Sequence, residues 1–191
     1  MPKEFSKRIY TASKAWRDFS FFFANLPRII SAAWKNPEIP TSFRERIMVV
    51  VSSLNACRYC QWFHAKKAVD SGIDDQEVKN MLKLQFQTDA PDFEVPALLY
   101  AQHFVESDCN PDPAMTKRLE DFYGQKTAAD IILIIRLIYT GNISGNTFDA
   151  FLSRFKGMKA KNSNFLFELV FFVLVSPILL PVLVLARPRE N

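Results

Sequence analysis

The chain has 191 residues, close to the size of one domain, and 49% of them are apolar, which is enough for a sizeable core. It contains only five glycines and few alternating apolar patterns, so the composition predicts helices rather than sheets. The net charge of +4 is mild and acids separate the basic residues, so we expect no nucleic-acid partner.

Residues 4–35 have the pattern of an amphipathic helical region that is bent near Pro27 and ended by Pro37 and Pro40. Aromatic residues such as Trp16 are interspersed with lysines and arginines. Two interpretations stay open for this region. It either packs on the core or lies on a membrane surface.

The middle of the chain carries the signals of several short helices. Ser42 to Glu45 has the pattern of a capping box and predicts a helix that runs to about Leu54. Asn55 and Ala56 predict a break, followed by a helix from Cys57 to Ser71. The remaining predicted helices begin at capping residues or prolines and cover residues 74–85, 96–107, 113–124, 127–139 and 144–156.

The C-terminal segment, residues 165–186, is strongly apolar, and Glu168 is its one charged residue. As a helix its 22 residues span about 33 Å, enough for a bilayer core of about 30 Å. Pro177 and Pro181 weaken a straight spanning helix, so a shallow interfacial arrangement and burial in an oligomer interface stay open. Basic residues lie on both sides of the segment: Arg154, Lys156, Lys159, Lys161, Arg187 and Arg189.

The residues with the clearest chemistry are Cys57, Cys60, His64 and Glu45. The two thiols and the histidine are spaced so that they share one stripe of a helix. If the chain reverses near Asn55, Glu45 and His64 lie level on two antiparallel helices. The carboxylate then orients the imidazole, and the imidazole reaches Cys60 directly or through a water.

Two further features of the cysteine residues bear on this motif. Cys57 is expected at a helix N-terminus beside Arg58, where both the helix dipole and the cation favour a thiolate. Three cysteines in a chain without a signal-peptide pattern argue against a secreted disulfide framework. We therefore expect a reducing compartment, in which such a cysteine pair is catalytic or binds a metal.

Simpler interpretations exist for each of these side chains. Glu45 could serve only the capping box, and His64 could be a hydrogen-bonded core histidine. Cys57, Cys60 and His64 could also bind zinc if His103 or Cys109 supplied the fourth ligand. Outside that alternative, Cys109 is interpreted as a bystander near Asp108, and His103 as a packing or surface residue.

The pattern Glu45-x11-Cys57-x2-Cys60-x3-His64 resembles the AhpD-like branch of the carboxymuconolactone decarboxylase superfamily, over roughly residues 38–157. The resemblance implies an all-α fold, assembly into trimers or hexamers, and a thiol-disulfide oxidoreductase that reduces hydroperoxides. A lipoyl- or thioredoxin-like donor would supply electrons.

The resemblance also implies a role for each residue. Cys60 becomes the sulfenic acid, Cys57 is its proton donor and resolving partner, and Glu45 and His64 form the proton relay. Tyr59 departs from the best-known members, which have a second histidine between the cysteines. A phenol with a pKa of about 10 is no base at neutral pH.

The sequence thus predicts an all-α, AhpD-like helical bundle with a C-terminal hydrophobic, membrane-associating helical segment. Its three regions are residues 1–37 (amphipathic and helical), 38–160 (the AhpD-like helical core) and 161–191 (hydrophobic, with basic flanks). The predicted function is hydroperoxide or disulfide reduction, with no organic cofactor and no metal. Apolar walls near Trp62 and Phe63 would suit an apolar peroxide. The alternative is a non-catalytic membrane-associated subunit. We expect a homo-oligomer attached to a membrane through residues 165–186, with the redox domain on the cytoplasmic side.

Overall fold

The computed structural model describes residues 5–161 and 164–185, with side-chain surroundings up to residue 181. Within these ranges the regular structure is helical, apart from one isolated bridge between Phe5 and Ala160. The all-α prediction is confirmed. The helices are α1 Ala12–Ala24, α2 Leu26–Trp34, α3 Thr41–Leu54, α4 Arg58–Asp70, α5 Asp75–Leu82, α6 Val95–Glu106, α7 Pro113–Tyr123, α8 Gln125–Arg154 and α9 Phe165–Leu185.

Helices α3 and α4 form an antiparallel pair at the centre of the molecule. The chain reverses at Asn55, whose side-chain amide donates to the carbonyl of Val51, and at Ala56, which has a positive φ of 51°. The backbone N–H of Cys57 then donates to the carbonyl of Ser52. The predicted break at Asn55 and Ala56 is confirmed, and this turn places the two ends of the motif side by side.

Helix α8 is continuous for 30 residues, so the prediction of two helices over residues 127–139 and 144–156 is wrong. Gly141 lies in the segment left between them, and Gly145 lies in the second of them. Glycine costs about 1 kcal/mol relative to alanine inside a helix, and burial of the helix outweighs that cost. The buried side chains of α8 include Ile131, Ile134 and Ile135.

The N-terminal region contains two helices, divided at Asn25. Pro27 lies in the first turn of α2, where a missing N–H costs nothing. Helix α2 packs on α8 through Ile29 and Leu133, which share one small hydrophobic cluster. Trp16 of α1 stays largely exposed. The region therefore packs on the core along one side only.

Helix α9 packs along α8 through one of its sides. Glu168 is buried and forms an ion pair with Arg154, while Phe171 lies in the main core cluster. The described part of the chain contains one helix long and apolar enough to cross a membrane, α8, with 56% of its apolar window buried inside the protein. Helix α9 contributes a shorter apolar stretch, Phe165–Pro181, and residues 186–191, with the predicted flanking arginines, lie outside the described residues.

Candidate active site

Glu45 and His64 meet across the interface between α3 and α4. The Oε2 atom of Glu45 lies 2.7 Å from Nδ1 of His64, and both side chains are largely buried. This is the level, facing arrangement that the spacing about Asn55 predicts. Because Nδ1 faces the carboxylate, Nε2 is the ring nitrogen that remains to exchange a proton elsewhere.

The prediction of a capping box at Ser42 to Glu45 is wrong. Pro40 occupies the N-cap position of α3, and no side chain caps that terminus. Glu45 lies one turn inside the helix, and its carboxylate accepts hydrogen bonds from Arg44 at 3.4 Å as well as contacting His64. The packing of α4 against α3 brings a stronger partner, the imidazole, within reach of the carboxylate.

The sulfur atoms of Cys57 and Cys60 lie 2.9 Å apart, and both thiols are free. A disulfide bond is about 2.05 Å long, so about 1 Å of approach would join them. Cys57 is the N-cap residue of α4 and is fully buried, whereas Cys60 lies one turn later and is partly exposed. The two thiols therefore have different access to solvent.

The two thiols also differ in acidity. The hydrogen bond between the two thiols holds the pKa of Cys57 below its ordinary value, and the backbone N–H of Cys60 and the charge of Lys7 act in the same direction, against burial. The same interaction and burial raise the pKa of Cys60 well above its ordinary value. Among the cations, Lys7 lowers the pKa of Cys57, whereas the guanidinium of Arg58, which the sequence suggested for this role, donates to Asp149.

Cys60, His64 and Glu45 line one cavity of about 440 Å³. Its wall is mostly apolar, with Phe63 from α4 and Leu137 from α8. Trp62, which the sequence also suggested for this wall, is not among the lining residues. The cavity therefore offers an apolar compartment with one thiol and one buried imidazole in its wall.

Tyr59, which replaces the second histidine of the resembled family, faces away from this cavity. Its hydroxyl makes a short hydrogen bond to Oδ1 of Asp149 on α8, and Arg58 donates to the same oxygen at 2.6 Å. Burial raises the pKa of Tyr59. Lys7 completes the group with a 3.3 Å contact to Oδ2 of Asp149. This charged cluster lies on the Cys57 side of the motif.

Sequence reasoning missed Asp149, Lys7 and Gly145. The three residues are far from the motif in sequence, and only folding brings them to Cys57 or Tyr59. At Gly145 a Cβ atom would lie 2.8 Å from Sγ of Cys57, so the sulfur occupies the space that a side chain would fill. The position of Gly145 inside the helix predicted over residues 144–156 was the one available signal.

His103 and Cys109 lie apart from the motif. Nε2 of His103 accepts a hydrogen bond from the backbone N–H of Asp112, so it stabilises the loop before α7. Cys109 lines a separate cavity with Tyr139, and burial raises its pKa to about 11. Neither residue joins Cys57 and Cys60, and the described ranges contain no metal-binding group of His, Cys, Asp or Glu.

Residues 22–104 match the model of the Carboxymuconolactone decarboxylase family. No curated protein and no solved structure matches the chain. The matched range contains Glu45, Cys57, Cys60 and His64 and ends before α8, so Asp149 and Gly145 lie outside it. The boundaries predicted at residues 37/38 and 160/161 stay predictions. Residues 22–104, which carry the whole cysteine–histidine–glutamate motif, are thus similar to the carboxymuconolactone decarboxylase family, as the AhpD-like sequence pattern predicts.

Proposed function

We propose that the protein is a thiol-disulfide oxidoreductase that reduces hydroperoxides. The observation that carries the proposal is that Cys60 shares one cavity wall with a buried His64–Glu45 pair and has a second thiol 2.9 Å away. Two cysteines that only form a structural disulfide need neither the imidazole nor the carboxylate beside them. A cysteine that must lose a proton, attack and then be resolved needs both groups as well as the second thiol.

The first step oxidises Cys60. His64 takes the thiol proton through Nε2, directly or through a water, while Glu45 holds the other ring nitrogen. The resulting thiolate attacks the terminal oxygen of the hydroperoxide and breaks the O–O bond. Cys60 becomes a sulfenic acid, and the alkoxide leaving group takes the proton from His64 and departs as an alcohol.

The second step forms the disulfide. The sulfur of Cys57, which is the more acidic thiol, attacks the sulfenic sulfur and displaces hydroxide, which leaves as water with the proton from Cys57. One hydroperoxide and two thiols thus become one alcohol, one water and one disulfide. A dithiol donor of lipoyl or thioredoxin-like type then reduces the disulfide and is itself oxidised.

The cavity favours an apolar hydroperoxide as substrate. Its mostly apolar wall would bind the hydrocarbon part of such a substrate, and about 440 Å³ accommodates far more than hydrogen peroxide. We expect a long-chain organic hydroperoxide to react faster than hydrogen peroxide. Equal second-order rate constants for the two peroxides would contradict an apolar hydroperoxide as the substrate. They would leave the proposed reaction of the thiols unaffected.

The test of the reaction is intact-mass analysis before and after one equivalent of organic hydroperoxide, with peptide mapping of the cysteines. We expect the loss of two hydrogen atoms, mapped to Cys57–Cys60 and reversed by a dithiol. Cys60→Ser should abolish hydroperoxide consumption. Cys109→Ser is the matched control and should leave consumption unchanged, since Cys109 lines a different cavity. Unchanged free thiols in the wild-type protein would instead favour the non-catalytic membrane-associated subunit.

A further inference from the structure

Helix α9 is apolar on all sides, yet only one side is packed. The residues that face away from the domain recur at spacings of three and four, so they form one continuous stripe. The aliphatic members of this stripe have between 51% and 71% of their surface exposed. We call the stripe the outer face of α9, and it consists of Leu166, Val170, Val173, Leu174, Pro177 and Ile178.

The opposite side of α9 is fixed to the domain. Glu168 is 1% exposed, and its Oε2 atom lies 2.5 Å from Nε of Arg154. Phe172 stacks on Phe148 with ring centroids 4.6 Å apart. If α9 left the domain to cross a bilayer, these contacts would be lost and a carboxylate would enter hydrocarbon. The docked side therefore opposes a spanning arrangement.

The two prolines of α9 point to the same conclusion. Pro177 has no N–H to donate to the carbonyl of Val173, and Pro181 has none for the carbonyl of Pro177. In the hydrocarbon core such carbonyls are costly, because no water is there to bond them. In the headgroup region water reaches them. The helix is thus better suited to the interface than to the bilayer centre.

The charges around the outer face indicate what covers it. Lys156, Lys159 and Lys161 are exposed immediately before α9, whereas the one acid of the helix, Glu168, is buried. An anionic headgroup layer complements this arrangement. A second copy of the same face brings the same cations and no exposed acid from its own helix.

We propose that the outer face of α9 binds the surface of an anionic lipid bilayer while the inner side of the helix stays docked on α8. The protein is then attached to one leaflet without crossing the membrane. The shape of the surface supports this arrangement, since an apolar stripe beside exposed lysines is the pattern of an interfacial helix. The inference does not rest on the proposed redox function.

The first test is flotation of the full-length protein with vesicles of phosphatidylcholine alone and of phosphatidylcholine with phosphatidylglycerol. We expect binding to the anionic vesicles, weakened by added salt because salt screens the lysines. The double variant Leu174→Glu, Ile178→Glu should lose most of this binding while keeping the wild-type helix content. Phe122→Glu is the matched control, because Phe122 of α7 is 53% exposed and should tolerate a charge without effect on binding.

Two results would overturn the proposal. One is protein that stays unbound to both kinds of vesicle and forms a dimer that the double variant abolishes, which would make the outer face a contact between copies.

The other result concerns topology in sealed membrane vesicles from cells that express the chain with an epitope after Asn191. We expect protease to reach this epitope from the same side as the redox domain, whereas protection of the epitope alone would show a spanning helix. Cys60→Ser should bind vesicles as the wild-type protein does, because it leaves the outer face of α9 unchanged. Vesicle binding therefore tests this proposal independently of the redox proposal.

Discussion

The carboxylate of Glu45 is buried, and burial of a charged group is tolerable only when hydrogen bonds replace its water. His64 and Arg44 supply those bonds on two sides. The imidazole is held by this carboxylate through Nδ1, which fixes the orientation of its ring in the cavity wall. In the proposed mechanism Glu45 is a positioning residue that acts on the thiol of Cys60 through His64.

Glu45→Gln should lower kcat/KM for hydroperoxide about 10- to 100-fold, because the amide keeps the shape but lacks the negative charge that stabilises the imidazolium. The pH profile of the reaction should shift as well, which a merely structural effect would not produce. Steady-state kinetics across pH measures both quantities.

The matched control for this variant is Glu77→Gln. Glu77 also lies in a largely buried ion pair, 2.6 Å from Arg46, but it does not line the cavity that contains Cys60 and His64. We expect Glu77→Gln to reduce stability and leave kcat/KM nearly unchanged. Equal losses of kcat/KM in both variants would show that Glu45 affects the reaction no more than any other buried ion pair does.

At the scale of single residues, the sequence predicted the motif because its members share helix faces. The i, i+3 and i+4 spacings place Cys60 and His64 on one stripe whatever the rest of the fold does. The difference in pKa between the two thiols depends on the tertiary structure. Lys7 comes from the N-terminal segment and contacts Asp149, which is distant in the sequence. In this position its charge lowers the pKa of Cys57.

Helix α8 contains two glycines, Gly141 and Gly145, that have different surroundings. Gly145 lies against the sulfur of Cys57 and the ring of Tyr59, whereas nothing lies within 4 Å of a Cβ atom built at Gly141. One glycine is therefore required for close packing of α4 on α8, and the other is not. The helix persists through both because most of its length is buried.

Gly145→Ala should destabilise the protein by about 1 to 3 kcal/mol, since the added methyl group would displace Cys57 or separate the helices. Gly141→Ala should be neutral or stabilise by up to about 1 kcal/mol, through helix propensity alone. Urea unfolding measures both changes. Equal effects of the two substitutions would show that the sulfur of Cys57 does not occupy the space beside Gly145.

The pair α3–α4 and the helix α9 show two ways in which an element is fixed. The turn at Asn55 and Ala56 is local, so the sequence predicted the pairing of α3 and α4. The docking of α9 depends on Glu168 meeting Arg154 on another helix. A pattern of apolar residues predicts a hydrophobic helix, but it does not predict which side of the helix packs on the protein.

For the molecule as a whole, several buried hydroxyl and thiol groups resist ionisation. Burial raises the pKa of Cys109 from 9.0 to about 11 and that of Tyr123 to about 12. In the unfolded chain these groups release their protons at lower pH. Unfolding is then accompanied by proton release, so stability falls as pH rises through this range.

The Cys109 contribution is fully present below about pH 9 and is lost as pH rises to about 11. It amounts to at most about 2 kcal/mol, because the thiol retains some contact with water. Cys109→Ser should therefore show a shallower alkaline loss of stability than the wild-type protein. Thermal unfolding across this pH range tests the difference, and parallel curves for the two proteins would contradict it.

The sequence by itself determined the helical class, the resemblance to the family and the four residues of the motif. These depend on composition and on spacings within two neighbouring helices, which are local properties. The tertiary structure decided that α8 is one helix, that Glu45 binds His64 instead of capping α3, and that Asp149, Lys7 and Gly145 surround the second thiol. It also decided which side of α9 is exposed. These features depend on contacts between segments distant in the chain, and no local pattern specifies such contacts.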